Sequence, residues 1–413
     1  MKLFIEELSL KGKRVLVRVD FNVPIKNGVV ESDKRLRESL PTLNYCLQQG
    51  ASLVLMSHLG RPDGERKEKY SLKPVADCLR KLLDRPVKFL DDCVGLEVER
   101  ACAALQSGEV VLLENLRFHI EEEGKIKKKD GTVIKADPKT VEDFRASLTR
   151  LGDLFVNDAF GTAHRAHSSM VGVNLPLRAA GYLMKKELDF LGAALDAPKR
   201  PFLSIIGGAK ISGKIDVIQA MLPKVDKLLI GGGMAYTFLK AMGLEIGKSL
   251  CELDKVELAG SLLAQAGDKI QLPVDFMVTD HFDFGGRKVG SLHAVDRDGI
   301  PADMESVDIG PKSAALFSSI VTSAKTIVWN GPMGVFEIPA TAAGTFAVAQ
   351  ALVEATAQGA VTVIGGGDSA AAIEQLKLES KVSHVSTGGG ASLEFLEGKP
   401  LPGVEALSNR DAK

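Results

Sequence analysis

The feature that most constrains this chain is one pattern repeated along its length: a short apolar, β-branched run that ends in a polar or glycine-rich cluster. Before residue 170 it reads VLVRVDFN, LVLMSHLGRP, VVLLENLRF and LFVNDAFGTAHR; after residue 200 it reads FLSIIGGAK, LLIGGGMA, TIVWNGPMG and VTVIGGGDS. Near-continuous apolar runs suit strands buried on both faces, which means parallel sheets covered by helices. Helical spacing fills the gaps, as in SLPTLNYCLQQG, which closes on Gly50, and LKPVADCLRKLLD. In such α/β sheets ligands bind beyond the carboxyl ends of the strands, where the polar clusters fall.

At 413 residues the chain is too long for one ordinary core and suits two sizeable α/β domains. The stretch GYLMKKELDFLGAALDAPKRP lies between the two strand sets, is helical in pattern and ends at Pro198 and Pro201, so it reads as the connector. A net charge of −1 offers no basic excess for nucleic acid. MKLFIEELSL does not read as a signal peptide, and no apolar run reaches the roughly 18 residues of a membrane helix. Five cysteines with no CxxC read as reduced cytoplasmic thiols rather than metal ligands. Residues 121–147 interrupt the first half with charge; Asp130-Gly131 is a hairpin signal, and the stretch reads as a solvated surface excursion.

The first strand set ends in hydrogen-bonding and cationic groups. RVDFN supplies Arg18, Asp20 and Asn22, with Arg35 following; SHLGRP supplies His58 and Arg61; ENLRF supplies Arg117; GTAHRAH supplies His164, Arg165 and His167. Guanidinium forks suit phosphate and carboxylate oxygens at any working pH. Arginines converging from several strand ends predict an anion pocket without raising net charge.

The second set ends in glycines: GGAKISGK, GGGMA, NGPMGVFE and GGGDS. Such turns are expected to turn backbone N–H groups toward phosphates, with Asp368 able to reach a phosphate-bound Mg²⁺. Gly208 to Lys214 satisfies most of a P-loop, but Ile215 stands where its hydroxyl should be. Lys210 and Lys214 remain candidates to touch transferring phosphates. No strand leads into G-x-G-x-x-G, and no G-x-S-x-G is present. The glycine turn in SHVSTGGGAS fits packing and phosphate binding equally.

Taken in order and spacing, RVDFNVP, SHLGRP, ENLRF, VNDAFGTAHRAHSS, GGAK, NGPMGVFE, GGGDS and SHVSTGGGASLE resemble the phosphoglycerate kinase family, essentially end to end. The resemblance implies two doubly wound, Rossmann-like parallel-sheet domains facing across a cleft. It places a 3-phosphoglycerate domain at 1–180, a connector helix at 181–198 and a nucleotide domain at 199–392. A tail at 393–413 is expected to return to the first domain. It implies substrate contacts from Asp20, Phe21, Asn22, Arg35, His58, Leu59, Gly60, Arg61, Arg117 and Arg165. Nucleotide contacts would come from Lys210, Lys214, Gly232, Gly233, Asn330, Glu337, Gly366, Gly367, Asp368 and Ser369, with Asp368 toward Mg²⁺. Ser369 stands where threonine is frequent in the family, and Gly213 where an acidic residue is common.

The implied reaction moves a phosphoryl group between 1,3-bisphosphoglycerate and ADP, giving 3-phosphoglycerate and ATP, in a monomer that closes about its hinge. A carboxylate acceptor is already ionised at neutral pH, so no general base is required. Arg35 and Lys214 are the expected catalytic pair, stabilising charge on the transferring group.

Overall fold

The computed structural model describes residues 1–128 and 130–410. Among them the chain divides into two compact units, one formed by Met1–Leu188 with the stretch from Pro400 onward, the other by Asp189–Lys399. The division therefore falls inside a helix, Tyr182–Asp196, and residues 393–399 lie with the second unit.

In the first unit six parallel strands, β1 (Arg14–Arg18), β2 (Ser52–Met56), β3 (Val87–Phe89), β4 (Val110–Leu112), β5 (Leu154–Asn157) and β6 (Arg178–Ala180), lie in the order β6-β5-β1-β2-β4-β3. Side chains alternate along a strand and both faces are covered, which explains why Val15–Val17, Leu53–Met56 and Val110–Leu112 are apolar at consecutive positions. Val15, Val17, Leu53, Leu55 and Leu112 face one cluster, built with Leu36 and Leu43 of the helix Lys34–Gln48 and Val75 and Leu79 of the helix Lys73–Leu83. Leu16, Val54, Met56 and Phe155 face a second, built with Val98, Phe144 and Leu148. Chain order reverses at β1, with β2 on one side and β5 on the other, so the loops after these strands open at a switch point.

The second unit repeats the plan. Strands β7 (Phe202–Ile206), β8 (Lys227–Ile230), β9 (Ile270–Gln271), β10 (Thr326–Asn330), β11 (Val361–Gly365) and β12 (His384–Val385) run parallel in the order β9-β8-β7-β10-β11-β12. Its switch point lies between β7 and β10. A three-stranded antiparallel sheet of Asp275–Thr279, Leu292–Asp296 and Glu305–Ile309 is inserted between β9 and β10; the sequence reading did not foresee it.

The C-terminal stretch is held to the first unit by backbone bonds: Leu3 N–H donates to Ser408 O at 2.7 Å, Ser408 N–H to Arg178 O at 2.8 Å and Gly403 N–H to Ala163 O at 2.8 Å.

Candidate active site

In the first unit the loops after β1 and β2 are locked together before any ligand is considered. Asn22 Oδ1 accepts from Gly60 N–H at 2.9 Å, and Ser57 Oγ accepts from Phe21 N–H at 2.9 Å. Asn115 bonds both backbone groups of Leu59, accepting at 3.2 Å and donating at 2.7 Å, while also capping the turn Leu116–Phe118. Phe21 and Leu59 are thus buried, with their backbone groups bonded within the loops. Gly60 is required: its φ is +62° and a Cβ there would lie 2.4 Å from the Tyr70 ring.

Around these loops the cations meet. Arg18 is fully buried; it donates to Ser169 Oγ at 2.9 Å and to His58 Nδ1 at 3.0 Å. A guanidinium only donates, so His58 Nδ1 accepts and its proton sits on Nε2. Burial, then Arg18, Arg117 and Arg35, hold His58 well below its ordinary pKa, and it stays neutral. Burial, then Arg117, Arg18 and Arg165, take His167 down to about 3. Arg117 donates to Gly60 O at 2.8 Å; burial lowers its pKa, Glu123 opposes this, and Arg165 and Arg61 add to it. Arg35 pairs with Asp20 at 2.6 Å while 39% exposed, Arg61 is exposed, and Arg165 donates to His164 Nε2 at 3.3 Å.

Two acidic residues of this cluster were misread as surface. Glu122 is 1% exposed and accepts from Ser169 N–H at 2.9 Å and Ser169 Oγ at 2.6 Å; Glu123 lies 3.4 Å from Arg117 Nε. The solvated excursion begins only at the hairpin Lys125–Lys127 with Val133–Lys135. Burying several cations demands compensating carboxylates, and the chain takes them from the start of its charged run.

In the second unit several of these glycines let backbones meet. A Cβ at Gly207 would lie 2.0 Å from Pro332 O, at Gly232 2.6 Å from Gly208 O, and at Gly233 2.7 Å from Ala209 O. The loops after β7, β8 and β10 pack backbone on backbone, and Gly232 spends its N–H on Met333 O at 2.9 Å. The turn after β11 is built otherwise. Gly366 has φ +86°, Gly367 has open space beside it, and the helix Gly367–Gln375 begins there with unpaired first-turn N–H groups. Ser369 Oγ is buried, accepting from Gly331 N–H at 2.5 Å, and Asp368 is exposed.

Asn330, buried at the end of β10, joins these parts. Its Oδ1 accepts from Lys214 Nζ, while its buried Nδ2 lacks a partner and lies against Gly366. Burial lowers the Lys214 pKa, opposed by Asp368 and Glu397. Glu252, which sequence reasoning missed, braces the turn before it, accepting from Ser212 N–H at 3.0 Å and Ser212 Oγ at 2.5 Å. Lys210 and Glu337 stand exposed on their turns.

Each unit therefore ends its sheet in a polar mouth, one cationic, one with a lysine, an orphan amide donor and a helix start. Comparison with known proteins bears on what such a pair serves. The sequence model described as phosphoglycerate kinase matches residues 5–399. The chain is 56% identical to phosphoglycerate kinase 1 of Homo sapiens over 99% of both chains. It is 55% identical to a probable phosphoglycerate kinase of Caenorhabditis elegans over 98% of both. Solved phosphoglycerate kinases from Coxiella burnetii and Pyrococcus horikoshii superpose with TM-scores of 0.87 and 0.80, at 38% and 34% identity, covering 100% and 98% of each chain. The chain belongs to the phosphoglycerate kinase family.

Proposed function

We propose that this protein transfers a phosphoryl group reversibly between 1,3-bisphosphoglycerate and ADP, forming 3-phosphoglycerate and ATP. The observation that carries the reading is the state of the cation cluster in the first unit. Arg18 is pushed down by burial and by Arg117, and Arg117 by burial, Arg165 and Arg61, so the cluster gains from any multiply charged anion. Asp20, Asn22, Arg35, His58, Gly60, Arg61, Arg117 and Arg165 would take the phosphoglycerate. His58, neutral with its proton on Nε2, would donate a hydrogen bond without adding charge.

The nucleotide phosphates would lie at the helix start Gly366–Ser369, with Lys210, Lys214 and the orphan Asn330 amide as donors and Glu337 toward the sugar. The exposed carboxylate of Asp368 suits Mg²⁺, a hard cation that would draw charge from the phosphates when bound with the nucleotide. The attacking or leaving group is a carboxylate, so no residue need move a proton. Arg35 and Lys214 would spread the charge that builds on the transferring oxygens. The acyl phosphate is water-sensitive, so the two units would close around it.

The free cysteines fit a reducing, cytoplasmic setting, and the balanced charge fits a monomer without nucleic-acid partners. No described helix is long and apolar enough to cross a membrane. The deciding experiment follows ATP formation from ADP and 1,3-bisphosphoglycerate with Mg²⁺. Turnover at ordinary enzyme rates is expected; a folded, ligand-binding protein without turnover would overturn the reading.

A further inference from the structure

Three residues of different donor chemistry meet where the segment after β3 passes the segment after β4. The ligand atoms of Asp92, Cys93 and His119 all lie within 4.8 Å of one another. His119 Nε2 is 2.7 Å from Asp92 Oδ1, and the same oxygen accepts from Cys93 N–H at 2.6 Å. Cys93 is fully buried, whereas the His119 and Asp92 side chains are 29% and 50% exposed. The buried sulfur thus has a partly exposed imidazole and a partly exposed carboxylate beside it. The His119 ring lies 5.4 Å from the Phe144 ring, and its backbone N–H bonds Leu116 O at 3.2 Å.

Packing alone accounts for part of this. Cys93 belongs to the apolar cluster with Val98, Leu113, Leu116 and Phe144. That role needs a small apolar side chain and does not explain two polar groups gathered over the sulfur. One thiolate, one imidazole and one carboxylate form the donor set of a borderline-soft divalent ion, with a fourth, solvent-facing position left for water. Hard ions such as Mg²⁺ and Ca²⁺ would find a single good oxygen ligand here. We propose that Asp92, Cys93 and His119 form a binding site for a zinc-type divalent metal ion, apart from the nucleotide's Mg²⁺.

Burial and the neighbouring carboxylates hold the Cys93 thiol neutral. The metal replaces the thiol proton, which leaves to solvent, and takes the imidazole Nε2 that now faces Asp92, the ring carrying its proton on Nδ1 instead. His119 stands two residues from Arg117, so the site borders the substrate loops without using any of their contact groups.

The test uses tag-free, full-length protein cleared of metal by a chelator, dialysed, and titrated with Co²⁺ in the absence of nucleotide. One equivalent should produce a sulfur-to-metal charge-transfer band with the visible bands of four-coordinate cobalt. Zn²⁺ should abolish both, and excess Mg²⁺ should not. Cys93→Ser should lose the charge-transfer band, and His119→Gln should weaken binding at least about tenfold. Absence of the band at one equivalent overturns the proposal, as does a band undiminished in these variants, which would assign it to other thiols. Should Cys93→Ser fail to fold, the variants at the two partly exposed positions, His119→Gln and Asp92→Asn, decide: wild-type affinity in both defeats the site.

Discussion

Lys214 is the residue whose surroundings are most unlike those of a surface lysine. Its ammonium is half-buried, donates to the neutral amide of Asn330, and is pushed down in pKa by burial against the pull of Asp368 and Glu397. An ammonium so placed is incompletely compensated in the resting protein and gains most from negative charge that appears during transfer. Lys214→Ala should therefore lower kcat by at least about 100-fold while nucleotide affinity changes only a few-fold. A raised KM with kcat held within a few-fold would make Lys214 a ground-state binder instead. Lys214 and most of the arginines were legible as candidates because each lies in a loop that follows an apolar run, whereas Arg35 sits at the start of the helix Lys34–Gln48. The packing role of Gly232 was not legible, because a glycine that lets two backbones touch and one that faces a ligand look alike in one dimension. Only the close approach of Gly208 O shows which it is.

Among the elements, the helix Tyr182–Asp196 has an unusual anchor. Asp158, just past β5, accepts from Leu183 N–H at 2.9 Å and Met184 N–H at 3.2 Å, capping the helix start, while Thr42 Oγ1 accepts from Tyr182 N–H at 2.8 Å. Burial outweighs these bonds and pushes the Asp158 carboxyl up to about 6 from 3.8. The folded state then holds this proton more tightly than the unfolded chain. Its contribution is fully present below about pH 4 and lost as pH rises through about 6, amounting to roughly 3 kcal/mol at most. Asp158→Asn keeps an acceptor and cannot ionise. Urea unfolding of both proteins should show the stability difference moving in favour of the variant by about 2–3 kcal/mol between pH 4 and pH 7. A difference independent of pH would show that the carboxyl is not held protonated. The helix itself was plain from its spacing and its prolines, but its cap was not, because Asp158 is distant in sequence and its partners are backbone groups. The charged run after residue 120 failed for a similar reason. Glu122 and Glu123 share a composition with the exposed lysines that follow, and only the buried arginines opposite them set the two apart.

At the scale of the molecule, the proposed chemistry is divided between two compact units, the cation cluster in one and the Lys214–Asn330–Gly366 mouth in the other. That division was legible in the sequence as arginines before residue 170 and glycine clusters after 200. In-line transfer needs reacting atoms within about 3–3.5 Å, a spacing that units open to diffusing substrates cannot hold. Phosphoglycerate alone would touch the first unit and nucleotide alone the second, so neither gains much from bringing the units together. With both bound, each ligand's charge and contacts would reach the other unit, and the closed population is expected to rise by that differential affinity. Small-angle scattering should therefore give a smaller radius of gyration for the ternary complex than for the free protein or either binary complex. A non-reacting nucleotide analogue with Mg²⁺ and 3-phosphoglycerate would hold the state. Saturation is confirmed separately by calorimetry, so that an unchanged radius in all four states, with every site filled, would rule out closure driven by the pair of ligands.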